Sequence, residues 1–155
     1  IYKNFFYNAN DEFVFAFNNF LKSAKHTAEH KIKCKKWFDY TAGTYQFYKD
    51  ELPSNSIAII NEGFIQKIYN LIANDFDIHI SQISDYVRLL PSIQLFIYIE
   101  STFDKCLHRR KGKHHPTRFK NNSTEEIKQY IIASLGLSEF IFSNFNNLPM
   151  KRISN

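Results

Sequence analysis

The feature that most constrains the fold is a short apolar run, Ile57–Ile60, which lies between a Pro-Ser-Asn-Ser turn and the polar residues Asn61 and Glu62. A run of this length, bounded by turn residues, is typical of a strand that is buried on both faces. Such strands belong to parallel sheets, in which ligands bind just beyond the carboxyl ends of the strands. The sequence therefore predicts an α/β fold with Asn61 and Glu62 at a ligand-binding edge.

The rest of the chain alternates between helical and strand patterns. Residues Ile93–Ile99 are largely β-branched and aromatic, which predicts a second strand, and Met150–Ser154 is a candidate edge strand. Phe13, Phe17, Phe20 and Leu21 recur at helical spacing and predict a helix that starts at Glu12, with Val14 and Phe15 widening its apolar stripe. Further helices are predicted over Ile32–Leu52, 62–73 and 80–90 and from 101 towards Arg109. The capping box of Ser123 and Glu126 predicts the start of the last helix. Right-handed crossovers would join these elements into a parallel sheet flanked by helices, a three-layer and helix-rich α/β fold.

Length and composition indicate one globular domain, 1–155, because 155 residues suffice to bury a sizeable core. No apolar run is long enough for a transmembrane helix, and the first residues lack the pattern of a signal peptide. Cys34 and Cys106 are far apart and flanked by lysines, which favours a reducing compartment. We therefore expect a cytoplasmic protein without a membrane partner.

The positive charge is locally concentrated. The net charge of +5 has a plain explanation in a lysine-rich composition, but residues 105–120 hold seven Lys and Arg and no acidic residue. This segment contains Gly and Pro and lacks apolar periodicity, which predicts a mobile loop. Clustered cations of this kind can neutralise the phosphates of a nucleic acid, bind an acidic partner or simply remain solvated. Aromatic residues elsewhere recur at helical spacing and are predicted to lie in the core; on the helix over Ile32–Leu52 they are Trp37, Tyr40, Tyr45 and Tyr48.

Two of these motifs resemble parts of the P-loop nucleoside triphosphate hydrolases, in particular the nucleotide and small-molecule kinases. Ile57–Phe64 resembles the Walker B strand, an apolar strand ending in Asp-Glu-Gly-Phe, and Leu107–Lys113 resembles the arginine-rich lid of the same group. The order of elements agrees with that group from the helix at Ile32 to Ile153.

The resemblance implies a nucleotide-dependent phosphotransferase that uses ATP and Mg²⁺ and a small-molecule acceptor. Catalysis of phosphoryl transfer rests on positioning and charge neutralisation. The catalytic residues would be Asn61, Glu62, Arg109 and Arg110, with Asn61 and Glu62 facing the metal. The nucleotide would be held by Gly63, Lys111, Lys113 and Arg118. Segment 105–120 would be the lid, in which Arg109, Arg110 and Arg118 close over the phosphates with Lys111 and Lys113 in support.

Two departures from the family pattern bear on this prediction. Asn61 occupies the position where the family has Asp, so an oxygen ligand is kept but its charge is lost. No G-x-x-x-x-G-K-[ST] occurs in the chain, which has four glycines in total. The prediction is therefore a domain that lacks its Walker A segment and is inactive alone. The alternative is a non-catalytic α/β or helical module that binds nucleic acid or an acidic partner through 105–120.

Metal binding is a further alternative with weaker support. His26, Glu29 and His30 match the H-x-x-E-H pattern of inverted zinc proteases, in which two histidines one helical turn apart bind Zn²⁺. Cys106, His108, His114 and His115 could also approach one another. Lysines and arginines flank both groups and would repel a dication, so zinc is not expected.

Overall fold

The computed structural model describes residues 1–71, 80–111 and 123–154, in two compact units, Ile1–Pro91 and Ser92–Asn155. Seven helices hold 68% of the described residues. The elements in chain order are α1 (Tyr2–Ala9), α2 (Asp11–Ser23), α3 (Ala28–Glu51), α4 (Phe64–Leu71), α5 (Ile80–Arg88), β1 (Phe96–Ile99), α6 (Phe103–Lys111), α7 (Thr124–Asn144) and β2 (Met150–Ile153).

The predicted three-layer α/β fold of the P-loop kinase type is wrong. Among the described residues the sheet consists of β1 and β2 alone, which pair in parallel with Phe96 opposite Met150 and Ile99 opposite Ile153. Ile57–Ile60 is irregular chain without a strand partner among the described residues, and Ile57 and Ile59 are 84% and 91% exposed. The isoleucine run favours a strand by its residue types alone. A buried strand requires a neighbouring strand on each side, and this segment has none among the described residues.

The first unit is a helical assembly around aromatic side chains. Phe17 of α2 and Phe38 of α3 stack with ring centroids 3.7 Å apart, and Phe6 of α1 stacks on Phe64 of α4 at 5.3 Å. All four rings are almost fully buried. The fully buried Tyr86 of α5 donates a hydrogen bond of 2.9 Å to the carbonyl oxygen of Phe64. Aromatic packing of this kind joins the five helices that the structure describes in this unit.

The predicted helices of this unit are present, with some ends shifted: α3 begins at Ala28 and not at the predicted Ile32. The helix predicted over 62–73 forms as α4, and its predicted end lies outside the described residues. α2 buries Phe13, Phe17 and Phe20 as expected from their spacing, whereas Phe15 is 67% exposed. Thr27 caps α3 by accepting a hydrogen bond of 3.2 Å from the amide of His30. The prediction that the aromatic residues of α3 lie in the core is wrong for Trp37, Tyr40 and Tyr48, which are exposed. Tyr45 is partly buried and contacts the rings of Phe6 and Phe64.

The second unit combines the small sheet with two helices. The capping box predicted at Ser123 is present: Oγ of Ser123 accepts from the amide of Glu126 at 3.2 Å, and Oε2 of Glu126 accepts from the amide of Ser123 at 2.6 Å. Tyr98 of β1 packs on Phe142 of α7, with ring centroids 4.8 Å apart. Arg152 of β2 donates to Glu100 at 2.6 Å, beyond the end of β1. The strand predicted at Met150–Ser154 forms as β2, Met150–Ile153, and pairs with β1.

Candidate functional site

Asn61 and Glu62, the predicted catalytic and metal-binding residues, lie in a bend that precedes α4. Both are exposed, and the segment before them is irregular chain, so no sheet edge brings them to a ligand. Gly63 follows at the start of α4. A Cβ added there would meet Oε1 of Gln66 at 3.5 Å, an ordinary contact, and Gly63 does not have a positive φ. Neither a phosphate cradle nor a left-handed turn requires glycine at this position.

Glu62 serves as the counter-ion of a buried lysine. Nζ of Lys67, whose side chain is 7% exposed, lies 3.3 Å from Oε2 of Glu62. A buried ammonium group needs an opposite charge, because desolvation otherwise costs several kcal/mol. A Mg²⁺ ion at Glu62 would therefore compete with an ammonium group already in place. The sequence contains a signal for this role, since Lys67 falls on the apolar stripe that Phe64, Ile68 and Leu71 form along α4.

The residues predicted to close over a nucleotide belong to α6 and the segment after it. Arg109 is exposed on α6, and Arg110 and Lys111 form the end of the same helix. The first part of the predicted 105–120 loop is thus helical, while Lys113 and Arg118 lie outside the described residues. Thr102 caps α6 by accepting from the amide of Lys105 at 3.3 Å. Cations at a helix C-terminus are favoured by the helix dipole, which explains part of this clustering without any ligand.

A second concentration of positive charge surrounds the turn between α2 and α3. Residues 22–36, which we call the basic corner, contain six lysines and one acidic residue, Glu29. Lys33 pairs with Glu29 at 2.7 Å, and Nζ of Lys31 donates to the carbonyl oxygen of Lys22 at 2.8 Å. Lys22, Lys25 and Lys36 are exposed. The corner therefore presents several cations to solvent over a few turns of chain.

The two histidines of the H-x-x-E-H pattern anchor the end of α4. Nε2 of His26 contacts the carbonyl oxygen of Leu71, and Nε2 of His30 lies 3.1 Å from the carbonyl oxygen of Asn70. Since carbonyl oxygens only accept, both Nε2 atoms carry a proton and donate, so the Nε2 atoms are not available as metal ligands in this arrangement. Within the described part of the chain, no three His, Cys, Asp or Glu side chains gather as a metal site would require. Cys106 and His108 lie on α6, and His114 and His115 are outside the described residues.

A polar cluster that the sequence pattern did not reveal joins α1 to α3. The hydroxyl group of Tyr7 donates to Oδ1 of Asp39, and Nζ of Lys35 donates to the same carboxylate oxygen at 2.5 Å. Burial alone would raise the pKa of Asp39, but the hydrogen bonds from Lys35 and Tyr7 outweigh it and hold this pKa below its ordinary value. Burial, with the hydrogen bond to Asp39, raises the pKa of Tyr7. The donors and acceptors of the cluster pair with one another, so its role is structural: it holds α1 against α3.

An open groove of about 580 Å³ lies beside α2 and α5. Its walls include the carboxylates of Asp11, Glu12 and Asp85 together with the apolar side chains of Phe15 and Leu89. Three negative charges repel a phosphate group, so the groove does not suit a nucleotide.

No protein-family model, curated protein or solved structure matches this chain. No helix within 1–71, 80–111 and 123–154 combines the length and apolar character needed to cross a membrane. The phosphotransferase function, with its ATP, Mg²⁺ and acceptor, stays a prediction. The sheet edge on which that prediction depended is absent from the described residues.

Proposed function

We propose that this protein is a non-catalytic helical module that binds the phosphate backbone of nucleic acid without reading its sequence. The observation that carries the proposal is the distribution of charge. The basic corner and segment 105–120 together hold 13 of the 20 Lys and Arg and only one of the 15 acidic residues. The remainder of the chain is acidic, so the positive charge is confined to two stretches.

The surroundings of these cations support a phosphate ligand. Lys22, Lys25 and Lys36 of the basic corner, and Lys105 and Arg109 of α6, are exposed side chains on helices or beside a helix end. Lysines at a surface bind phosphates as point charges and carry no base specificity. A polyanion engages several of them at once and releases the counter-ions that had condensed on it, which a single nucleotide does not.

The test is binding of labelled single-stranded and duplex nucleic acid by fluorescence anisotropy at a series of salt concentrations. We expect log Kd to rise linearly with log salt concentration. The triple substitution Lys22→Gln/Lys25→Gln/Lys36→Gln should reduce the slope by about 2 to 3, because each phosphate contact contributes roughly 0.7 to 0.9. The pair Lys105→Gln/Arg109→Gln should reduce it by about 1 to 2.

A matched control separates specific patches from overall charge. Lys49→Gln/Lys128→Gln/Lys151→Gln removes three lysines that lie outside both stretches. This variant should retain the salt dependence of the natural sequence. Equal losses in the control and the basic-corner variant would mean that net charge alone governs binding, and absence of binding at moderate salt would contradict the proposal outright.

A further inference from the structure

The long helix α3 has an aromatic face that the described residues of the first unit leave largely exposed. Tyr40 is 76% exposed, Phe47 43% and Trp37 39%, while the opposite face buries Phe38 and Ala42. Large aromatic side chains in one row on a helix are uncommon on monomer surfaces and mark interaction sites. Tyr2 of α1 extends the face, since its ring packs edge-on against Phe47 at 5.3 Å.

The residues of this face follow the spacing of a coiled-coil seam. Steps of four and three residues alternate along the row formed by Lys33, Trp37, Tyr40, Thr44, Phe47 and Glu51. This is the a/d spacing with which one helix packs its side chains between those of another. The row spans 18 residue steps, or about 27 Å of helix at the standard rise.

The two ends of the row carry opposite charges. Lys33 lies near the N-terminal end, where it pairs with Glu29 at 2.7 Å while its side chain stays 52% exposed, and the exposed Lys36 beside it keeps that end positive. Glu51 is exposed at the C-terminal end, where its Oε1 accepts a hydrogen bond of 2.7 Å from the hydroxyl group of Tyr2. Two parallel copies would place like charges together, whereas two antiparallel copies would place each Lys33 beside a Glu51.

We propose that α3 is a self-docking surface through which two copies of this chain associate in antiparallel orientation about a two-fold axis. The row is symmetric about position 42, so each layer is self-complementary as such an axis requires. Tyr40 of one copy lies beside Thr44 of the other, Trp37 beside Phe47, and Lys33 beside Glu51. The aromatic layers provide the buried area and the charged layers fix the direction.

The size of the face determines the strength of the dimer. A single helix face about 27 Å long buries less than the roughly 800 Å² per partner of a standard stable interface. Association through α3 is therefore weak and reversible, and the fraction of dimer rises with protein concentration. The association requires no nucleic acid.

The test is sedimentation equilibrium of the full chain, free of nucleic acid, over a wide range of concentration. Tyr40→Ser should shift the chain to monomer, and the control Phe15→Ser, which removes a similarly exposed ring from α2, should leave the dimer unchanged. Because Tyr40 is so exposed, its substitution should not alter the circular dichroism spectrum or the thermal unfolding of the monomer. A monomer at every concentration, or a dimer indifferent to Tyr40→Ser, overturns the proposal.

Charge exchange tests the antiparallel orientation. Lys33→Glu and Glu51→Lys should each weaken the dimer roughly tenfold, because each replaces two attractive contacts per dimer by two repulsive ones. The double variant Lys33→Glu/Glu51→Lys should restore the natural affinity. A double variant no stronger than either single variant would rule out the antiparallel arrangement.

Discussion

Nζ of Lys67 lies 3.3 Å from Oε2 of Glu62, so an almost fully buried ammonium group takes its counter-ion from a carboxylate that is 76% exposed. Loss of Glu62 leaves the ammonium group buried without that charge, while loss of Lys67 removes the need for it. We expect Glu62→Gln to lower the free energy of unfolding by about 1 kcal/mol, a modest cost because solvent screens the carboxylate. Lys67→Met should be neutral or stabilising. Urea unfolding measures both.

The control for this pair is Glu29→Gln. Glu29 pairs with Lys33, but both side chains are largely exposed, so its removal should not change the urea midpoint measurably. If Glu62→Gln and Glu29→Gln had the same effect on the free energy of unfolding, Glu62 would not stabilise the buried lysine. That result would favour a role for Glu62 in ligand binding.

Asp39 should make the stability of the first unit depend on pH. Because its pKa in the folded protein is lowered, the unfolded chain binds more protons in mild acid, and stability rises with pH there. Its contribution is complete above the ordinary carboxyl value of 3.8 and is lost as pH falls through the lowered pKa. Asp39→Asn should therefore cost about 1 kcal/mol at neutral pH, and the gap to the natural sequence should close in acid.

Thermal or urea unfolding at several pH values checks this dependence, with two companion variants. Asp85→Asn removes an exposed carboxylate from the middle of α5, outside the cluster of Tyr7, Lys35 and Asp39, and serves as the control. Tyr7→Phe removes one donor to Asp39 and keeps the ring. Because Lys35 still donates to Asp39, this variant should keep part of the acid-dependent loss of stability that Asp39 causes. A gap for Asp39→Asn that stays constant down to strong acid would show that Asp39 does not titrate with a lowered pKa.

The capping box of α7 offers a local test in the second unit. Ser123→Ala removes the acceptor for the amide of Glu126, which should destabilise the helix by about 1 kcal/mol and speed hydrogen exchange in its first turn. Ser123→Asp should retain the cap and most of the protection. Ser143→Ala, near the other end of α7, serves as the control and should leave exchange in the first turn unchanged. Equal protection of that turn in Ser123→Ala would contradict the assigned cap.

Helices were predictable here because their signals are local. The capping box at Ser123 and the spacing of Phe13, Phe17 and Phe20 each involve residues within one or two turns, and both predictions are confirmed. The strand at Ile57–Ile60 failed because a strand is defined by its partners, and composition does not show whether any exist. In a chain this rich in isoleucine, an apolar run of four residues is weak evidence for a buried strand.

The candidate site was less predictable than the helices. The resemblance to a Walker B strand led to Glu62, whereas the partner of Glu62 is Lys67, a lysine on a buried stripe whose position already required a counter-ion. The aromatic spacing of α3 was interpreted as core because a helix with two apolar faces gives no sequence signal for which face is covered. Asp39 and Tyr7 meet only because α1 packs on α3, a tertiary fact that neither segment encodes alone.

The pairing of β1 with β2 sets an order on the folding of the second unit. Phe96 meets Met150 across an intervening stretch that contains both α6 and α7, so the strands join only after a long segment of chain has been brought round. Closing such a segment costs entropy before any strand contact repays it, which makes this step slow. During synthesis on the ribosome, the backbone N–H and C=O groups of β1 cannot pair with β2 until the residues of β2 have emerged. The helices between them can form first, and pairing of the two strands then completes the folding of the unit.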